Sequence, residues 1–229
     1  MTVTDVNVVK SAIFERPDDA NKGTLGSLLC VCGSYGMAGA AVMSAKGALR
    51  TGIGLAKCAL PRSIYPIVAQ TILESVYYPL SENADGRISK VNVPFLVSES
   101  CKSSATLVGC GLGVCDDTLK IVFSFIENST TPLVLDADAL NCVAKQPEIL
   151  LRKKAPIIIT PHPGEMSRLT GLATPLVNAE RERVALDFAQ KYGVVTVLKG
   201  AGTVIASPNG KVLVNPTGNS GMATGCSGD

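Results

Sequence analysis

The sequence predicts a layered α/β fold around a mainly parallel sheet, and three observations carry that prediction. Apolar runs of strand length alternate with stretches of helical spacing along most of the chain. The first long run, LGSLLCVC at residues 25–32, is apolar on both faces, as a strand between two helical layers must be. The third is the residues that leave the strands. At six strand ends these are glycines or functional polar groups, and in such sheets ligands sit beyond the carboxyl ends of the strands.

Taken in order, residues 1–20 place Val6, Val9, Ala12 and Ile13 at roughly helical spacing and are expected to form an N-terminal helical arm. Residues 21–229 are expected to form one domain. After the strand at 25–32, the loop GSYGMAG (33–39) runs into an Ala-rich helix that Gly52 closes. Further strands are predicted at 54–60, 105–109, 133–136, 155–160 and 194–198. Helices are predicted at 62–73, 93–101, 118–127, 139–144 and 178–192. The last of these aligns Val184, Phe188 and Tyr192 on one face and stops at Gly193. Two final strands, 203–206 and 211–214, flank Pro208-Asn209-Gly210, a hairpin turn signal.

Composition narrows the function classes. The 229 residues are 46% hydrophobic, enough to bury one substantial core. Net charge is +2 with no basic cluster, which argues against nucleic acid or a membrane surface as partner. The longest uncharged stretch, between Lys22 and Lys46, is broken by glycines and serines, so no membrane span is expected there. There are eight cysteines but no C-x-x-C pair and no signal peptide. Cys30, Cys32, Cys58 and Cys110 fall in apolar runs and read as reduced, buried hydrophobes of a cytoplasmic protein.

The strand ends supply the candidate chemistry. Loop 33–39 before a helix is the geometry that presents helix amides to an anion, but it lacks the dinucleotide and P-loop signatures. Asp136 and Asp138 leave one strand, where they are either functional or caps of the next helix. His162 is the only histidine and is held between Pro161 and Pro163. Glu165 is either a first-turn carboxylate or a partner of Mg²⁺ through water. Lys199 opens KGAGT and reads as a solvated lysine or a nucleotide contact. Finally, NPTGNSGMATGCSGD (215–229) is a surface loop or a run of small residues whose amides approach an anion, with the Asp229 carboxylate beside them. The second arrangement suits transfer of a phosphoryl group to a hydroxyl.

KGTLGSLLCVCGSYGMAGAA, LDADALN, TPHPGEMSRLTG, VLKGAGT and NPTGNSGMATGCSGD, in this order, resemble the ADP/ATP-dependent (S)-NAD(P)H-hydrate dehydratase family of the ribokinase-like superfamily. The resemblance runs from about Lys22 to Asp229. It implies a three-layer α/β/α ribokinase-like sandwich with a mainly parallel central sheet. It also implies a repair enzyme that phosphorylates the hydrate hydroxyl of NADHX or NADPHX and expels phosphate to restore NADH or NADPH. Carried over by position, Asp229 is the base. The amides of Gly225, Cys226, Ser227 and Gly228 form the anion hole, and Gly228 also meets the nucleotide. Ala40, Gly111 and His162, with Asp229, contact the hydrated dinucleotide. Lys199, Gly200, Ala201, Gly202 and Thr203 bind the nucleotide, ADP or ATP, and Glu165 associates with Mg²⁺. Relatives form tetramers, so a homo-oligomer is expected.

This chain departs from the family pattern in two residues: Cys226 replaces the common glycine and Cys110 a frequent proline. Family members also continue past the Gly-Asp pair into further helices, which this chain is expected to lack. Two other readings share these residues. One is a ribokinase-like kinase of a small alcohol or vitamin precursor; the other is a non-catalytic nucleotide-binding module.

Overall fold

A computed structural model of the chain describes residues 2–4, 9–10, 13, 15–222 and 224. Its ten strands are β1 (Thr2–Val3), β2 (Ser27–Val31), β3 (Leu55–Pro61), β4 (Val76–Leu80), β5 (Ala105–Val108), β6 (Leu133–Leu135), β7 (Ile157–Ile159), β8 (Val195–Leu198), β9 (Thr203–Ala206) and β10 (Val212–Asn215). They form one sheet in the order β1-β10-β9-β8-β7-β6-β5-β2-β3-β4. Every neighbouring pair is parallel except β8–β9 and β9–β10, which run antiparallel. The mainly parallel α/β prediction therefore holds. So does the hairpin at Pro208-Asn209-Gly210, where Gly210 N donates to Ser207 O.

The helices are α1 (Ala38–Thr51), α2 (Tyr65–Thr71), α3 (Val93–Cys101), α4 (Asp116–Asn128), α5 (Asp138–Val143), α6 (Pro163–Thr170), α7 (Thr174–Ala179) and α8 (Arg181–Tyr192). The sheet separates two cores, because alternate residues of each strand face opposite ways. From β2, Leu29 and Val31 join the larger core with Ile121, Val122, Phe125 and Ile126 of α4 and Val184, Ala185 and Phe188 of α8. Cys30 and Cys32 face the other way, onto Ala41 and Ala45 of α1 and Val68 of α2. Alanine opposite cysteine lets α1 lie close to the sheet. The four cysteines read as buried are buried.

Three expectations are corrected. Residues 1–20 are not helical throughout: Thr2–Val3 add an edge strand parallel to β10, although Val9 and Lys10 are helical. β4 was not foreseen. Its VYYPL contains proline, which a strand tolerates at a sheet edge, and β4 is the edge beyond β3. The helix expected at 178–192 is two helices that meet at Glu180, whose φ of −126° and ψ of 40° break the spiral.

Thr196 sits in β8 between Ile159 and Ala206, fully buried, with no partner for its hydroxyl among the described residues. A buried hydroxyl left unpaired is costly, so Thr196→Val is expected to stabilise the fold by about 1 kcal/mol. Thermal unfolding checks this. A lower melting temperature would mean that the hydroxyl is satisfied in solution.

Candidate active site

The sheet's topology chooses the ligand crevice. From β2 the chain moves to β3 on one side, whereas from β5 it moves to β6 on the other. The strand order thus reverses between β2 and β5, the point beyond whose carboxyl edge such sheets bind ligands. Gly33 and Ser34 line it from β2, and residues 109–113 line it from β5. Ser34 Oγ donates to Gly111 O at 2.8 Å, and Gly33 N donates to Cys110 O at 2.8 Å. Gly111 has φ +68°, and a Cβ built there would lie 2.7 Å from Cβ of Ala40. Two of the predicted substrate contacts, Ala40 and Gly111, thus lie against each other where the β2 and β5 loops meet, and glycine is what lets them do so.

The next strand end splays two carboxylates. Between Asp136 and Asp138, Ala137 has φ 48° and ψ −115°, the one positive φ at a non-glycine among the described residues. Strain of this kind costs about 1–3 kcal/mol and persists where the surroundings enforce it. Here it turns the neighbours in different directions. Asp138 does not cap α5; its Oδ2 accepts from Gly113 N at 2.8 Å and so fixes the β5 loop. Asp136 turns inward, 4% exposed. Its Oδ1 accepts from Thr160 Oγ1 at 2.7 Å and from Lys199 Nζ at 2.8 Å. Cys110 Sγ donates to Oδ2 at 3.7 Å. The reading of Lys199 as a solvated side chain is excluded, because the ammonium is largely buried in this ion pair.

His162 ends the β7 loop as the N-cap of α6. Its Nδ1 accepts from Gly164 N at 3.0 Å and from Glu165 N at 3.4 Å, so the ring proton belongs on Nε2. Glu165 answers from N3, where Oε2 accepts from His162 N at 2.8 Å and Oε1 lies 3.4 Å from Nε2. This capping box locks the orientation of the imidazole while leaving it half exposed at the rim. Burial raises the Glu165 carboxyl above its ordinary range, against the lowering effect of His162 and Lys199.

From β8, Lys199 N donates to Pro161 O at 2.8 Å, tying the KGAGT segment to the His162 loop. Thr203 Oγ1 closes the segment on Gly200 O at 3.0 Å. A cavity of about 590 Å³ flanks it, lined by Ala201, Gly202, Val204, Val214 and the start of α8. Hydrogen bonds therefore join the ends of β2, β5, β6, β7 and β8 into one rim carrying Ala40, Gly111, His162, Glu165 and Lys199. Asp229 and the proposed anion hole of Gly225, Cys226, Ser227 and Gly228 lie outside the described residues.

This rim is set in a chain whose residues 28–229 match a family model described as NAD(P)H-hydrate dehydratase. The chain belongs to that family. Among curated dehydratase-family proteins, it is 40% identical over 214 residues to a bifunctional NAD(P)H-hydrate repair enzyme of Thermofilum pendens, covering 93% of this chain and 41% of that one. It is 32% identical over 223 residues to the ADP-dependent (S)-NAD(P)H-hydrate dehydratase of Bacillus subtilis, covering 96% of this chain and 75% of the relative. The chain thus spans about two fifths of the bifunctional relatives and three quarters of the single-activity dehydratase. A crystal structure of the B. subtilis ADP/ATP-dependent NAD(P)H-hydrate dehydratase, co-crystallised with ATP/Mg²⁺, superposes with a TM-score of 0.81 at 30% identity. That match covers 98% of this chain and 76% of the other. The ribokinase-like α/β layering expected of a dehydratase-family chain is thereby shown. No helix among its described residues is long and apolar enough to cross a membrane.

Two residues at the site escaped the sequence reading. Arg181 was not singled out, yet its Nη2 donates to Leu198 O at 2.8 Å and Lys199 O at 3.1 Å. Thr160 was seen only as part of TPHPGE. For Asp136 a usable signal existed: a lysine at the end of a buried strand needs a carboxylate, and Asp136 ends a strand of the same sheet.

Proposed function

We propose that this protein repairs damaged nicotinamide nucleotides, converting (S)-NADHX or (S)-NADPHX to NADH or NADPH with ADP or ATP as phosphoryl donor. The observation that carries the reading is the single hydrogen-bonded rim. It brings Ala40 and Gly111 together with His162 and the Lys199–Thr203 segment, in a chain of the dehydratase family.

The hydrated dinucleotide lies in the crevice, its approach set by the contact of Ala40 with Gly111. His162 presents Nε2–H, a donor for the substrate. Lys199, Gly200, Ala201, Gly202 and Thr203 take the nucleotide, and Gly228 completes its contacts. Asp229 removes the proton from the hydrate hydroxyl as that oxygen accepts the phosphoryl group. The amides of Gly225, Cys226, Ser227 and Gly228 neutralise the charge that gathers on the transferring group. Phosphate then leaves with the C–O bonding pair, the adjacent ring carbon loses a proton to water, and the double bond re-forms between the two carbons.

Mg²⁺ would neutralise the donor's phosphate charge. Both Glu165 oxygens already face His162, and no cluster of three metal-binding side chains occurs among the described residues. Glu165 would therefore hold the ion through water. The reading further places the enzyme in the cytoplasm as a tetramer. The thiols of Cys30, Cys32 and Cys58, buried and unbridged, support a reducing compartment.

The test supplies NADHX and Mg²⁺ with ADP, with ATP or with neither, and follows the near-ultraviolet absorbance of reduced nicotinamide. Recovery of NADH with one nucleotide, and none without, is expected. No recovery with either would overturn the proposal.

A further inference from the structure

A lysine followed by two glycines of positive φ (Gly200 at +143°, Gly202 at +67°) has no intrinsic reason to hold one shape. Yet three anchors fix this segment. The amide of Lys199 is tied to Pro161 O, its ammonium to Asp136, and the carbonyls of Leu198 and Lys199 to the Arg181 guanidinium on α8. We infer that Asp136 and Arg181 are positioning residues for the nucleotide, acting from two sides through the Lys199–Thr203 segment. This deepens the reading above and rests on it.

The physical argument is in the peptide planes. A trans peptide points its C=O and N–H in opposite directions. The Lys199 carbonyl is drawn towards Arg181, so the amide of Gly200 is directed away from α8, where it is available to an anion. The space left for that turn is small: a Cβ at Gly200 would lie 3.0 Å from both terminal nitrogens of Arg181. Arg181 Nε is buried without a partner among the described residues, so the guanidinium is committed to these carbonyls at a cost in solvation. Asp136 acts on the other side. Its buried carboxylate draws the Lys199 ammonium inward at 2.8 Å, and Asp136→Asn removes the charge that holds it there. Lys199 then serves the nucleotide mainly as the pin of a loop of amides.

Titration calorimetry with ADP and with ATP, each with Mg²⁺ and without NADHX, tests this on the full-length protein. Asp136→Asn and Arg181→Ala are each expected to weaken nucleotide binding about tenfold, or about 1.4 kcal/mol, while the KM for NADHX changes less than about twofold. Asp136→Asn combined with Lys199→Met should bind no more weakly than Lys199→Met alone, because the aspartate acts through the lysine. Should Asp136→Asn fail to fold, Arg181→Ala carries the test. Wild-type affinity in either folded variant, or additive losses in the double variant, would overturn the inference. If the unaltered protein binds nucleotide but forms no NADH, the dehydratase reading falls and this inference stands. If it binds neither nucleotide, both fall.

Discussion

Alanine at position 109 is expected to lower the melting temperature by roughly 10 °C, corresponding to about 3 kcal/mol or more. Gly109 leaves β5 with φ +133°, a conformation that side-chain-bearing residues rarely adopt. A Cβ there would lie 1.8 Å from Asp136 O and 2.8 Å from Cβ of Ala139. Neither neighbour can yield cheaply, because Asp136 precedes the strained Ala137 and holds Lys199. The surviving folded fraction should also bind nucleotide poorly. Gly47→Ala is the matched comparison: within α1, with nothing within 4 Å of a built Cβ, it should be stabilising by about 0.5–1 kcal/mol. If Gly109→Ala melts with the unaltered protein, the close packing of the β5 and β6 ends at the rim is wrong.

Asp229→Asn is expected to lower kcat by at least about 10²-fold, the smaller end of what a general base contributes. Asparagine keeps the size and hydrogen-bonding reach of the side chain but cannot take up the hydroxyl proton. Nucleotide affinity and melting temperature should change little, so that the loss falls on turnover. Near-normal kcat would remove Asp229 from the proposed role of base.

The fold was legible because the chain obeys simple patterns. β2 is apolar on both faces, and α8 aligns Val184, Phe188 and Tyr192, each almost fully buried. β4 was illegible because an edge strand paired on one side needs neither a full ladder nor strict alternation. The break at Glu180 was missed because helical spacing resumes after a single non-helical residue. The rim's members were readable one by one, since polar groups and glycines at strand ends have few other reasons to be there. Their pairing was not. Asp136 and Lys199 are 63 residues apart, and only the sheet order, with β7 alone between their strands, brings them within 2.8 Å. Arg181 was hidden for a related reason: a guanidinium folded back onto carbonyls looks the same in sequence as one facing water.

The most direct measurement counts NADH formed and phosphate released for each nucleotide consumed in a single reaction with NADHX and Mg²⁺. Transfer to the hydrate oxygen followed by elimination predicts one phosphate and one NADH per nucleotide, with no phosphorylated acceptor left behind. Nucleotide consumption that yields a stable phosphorylated product, or NADH formed without phosphate release, would contradict it.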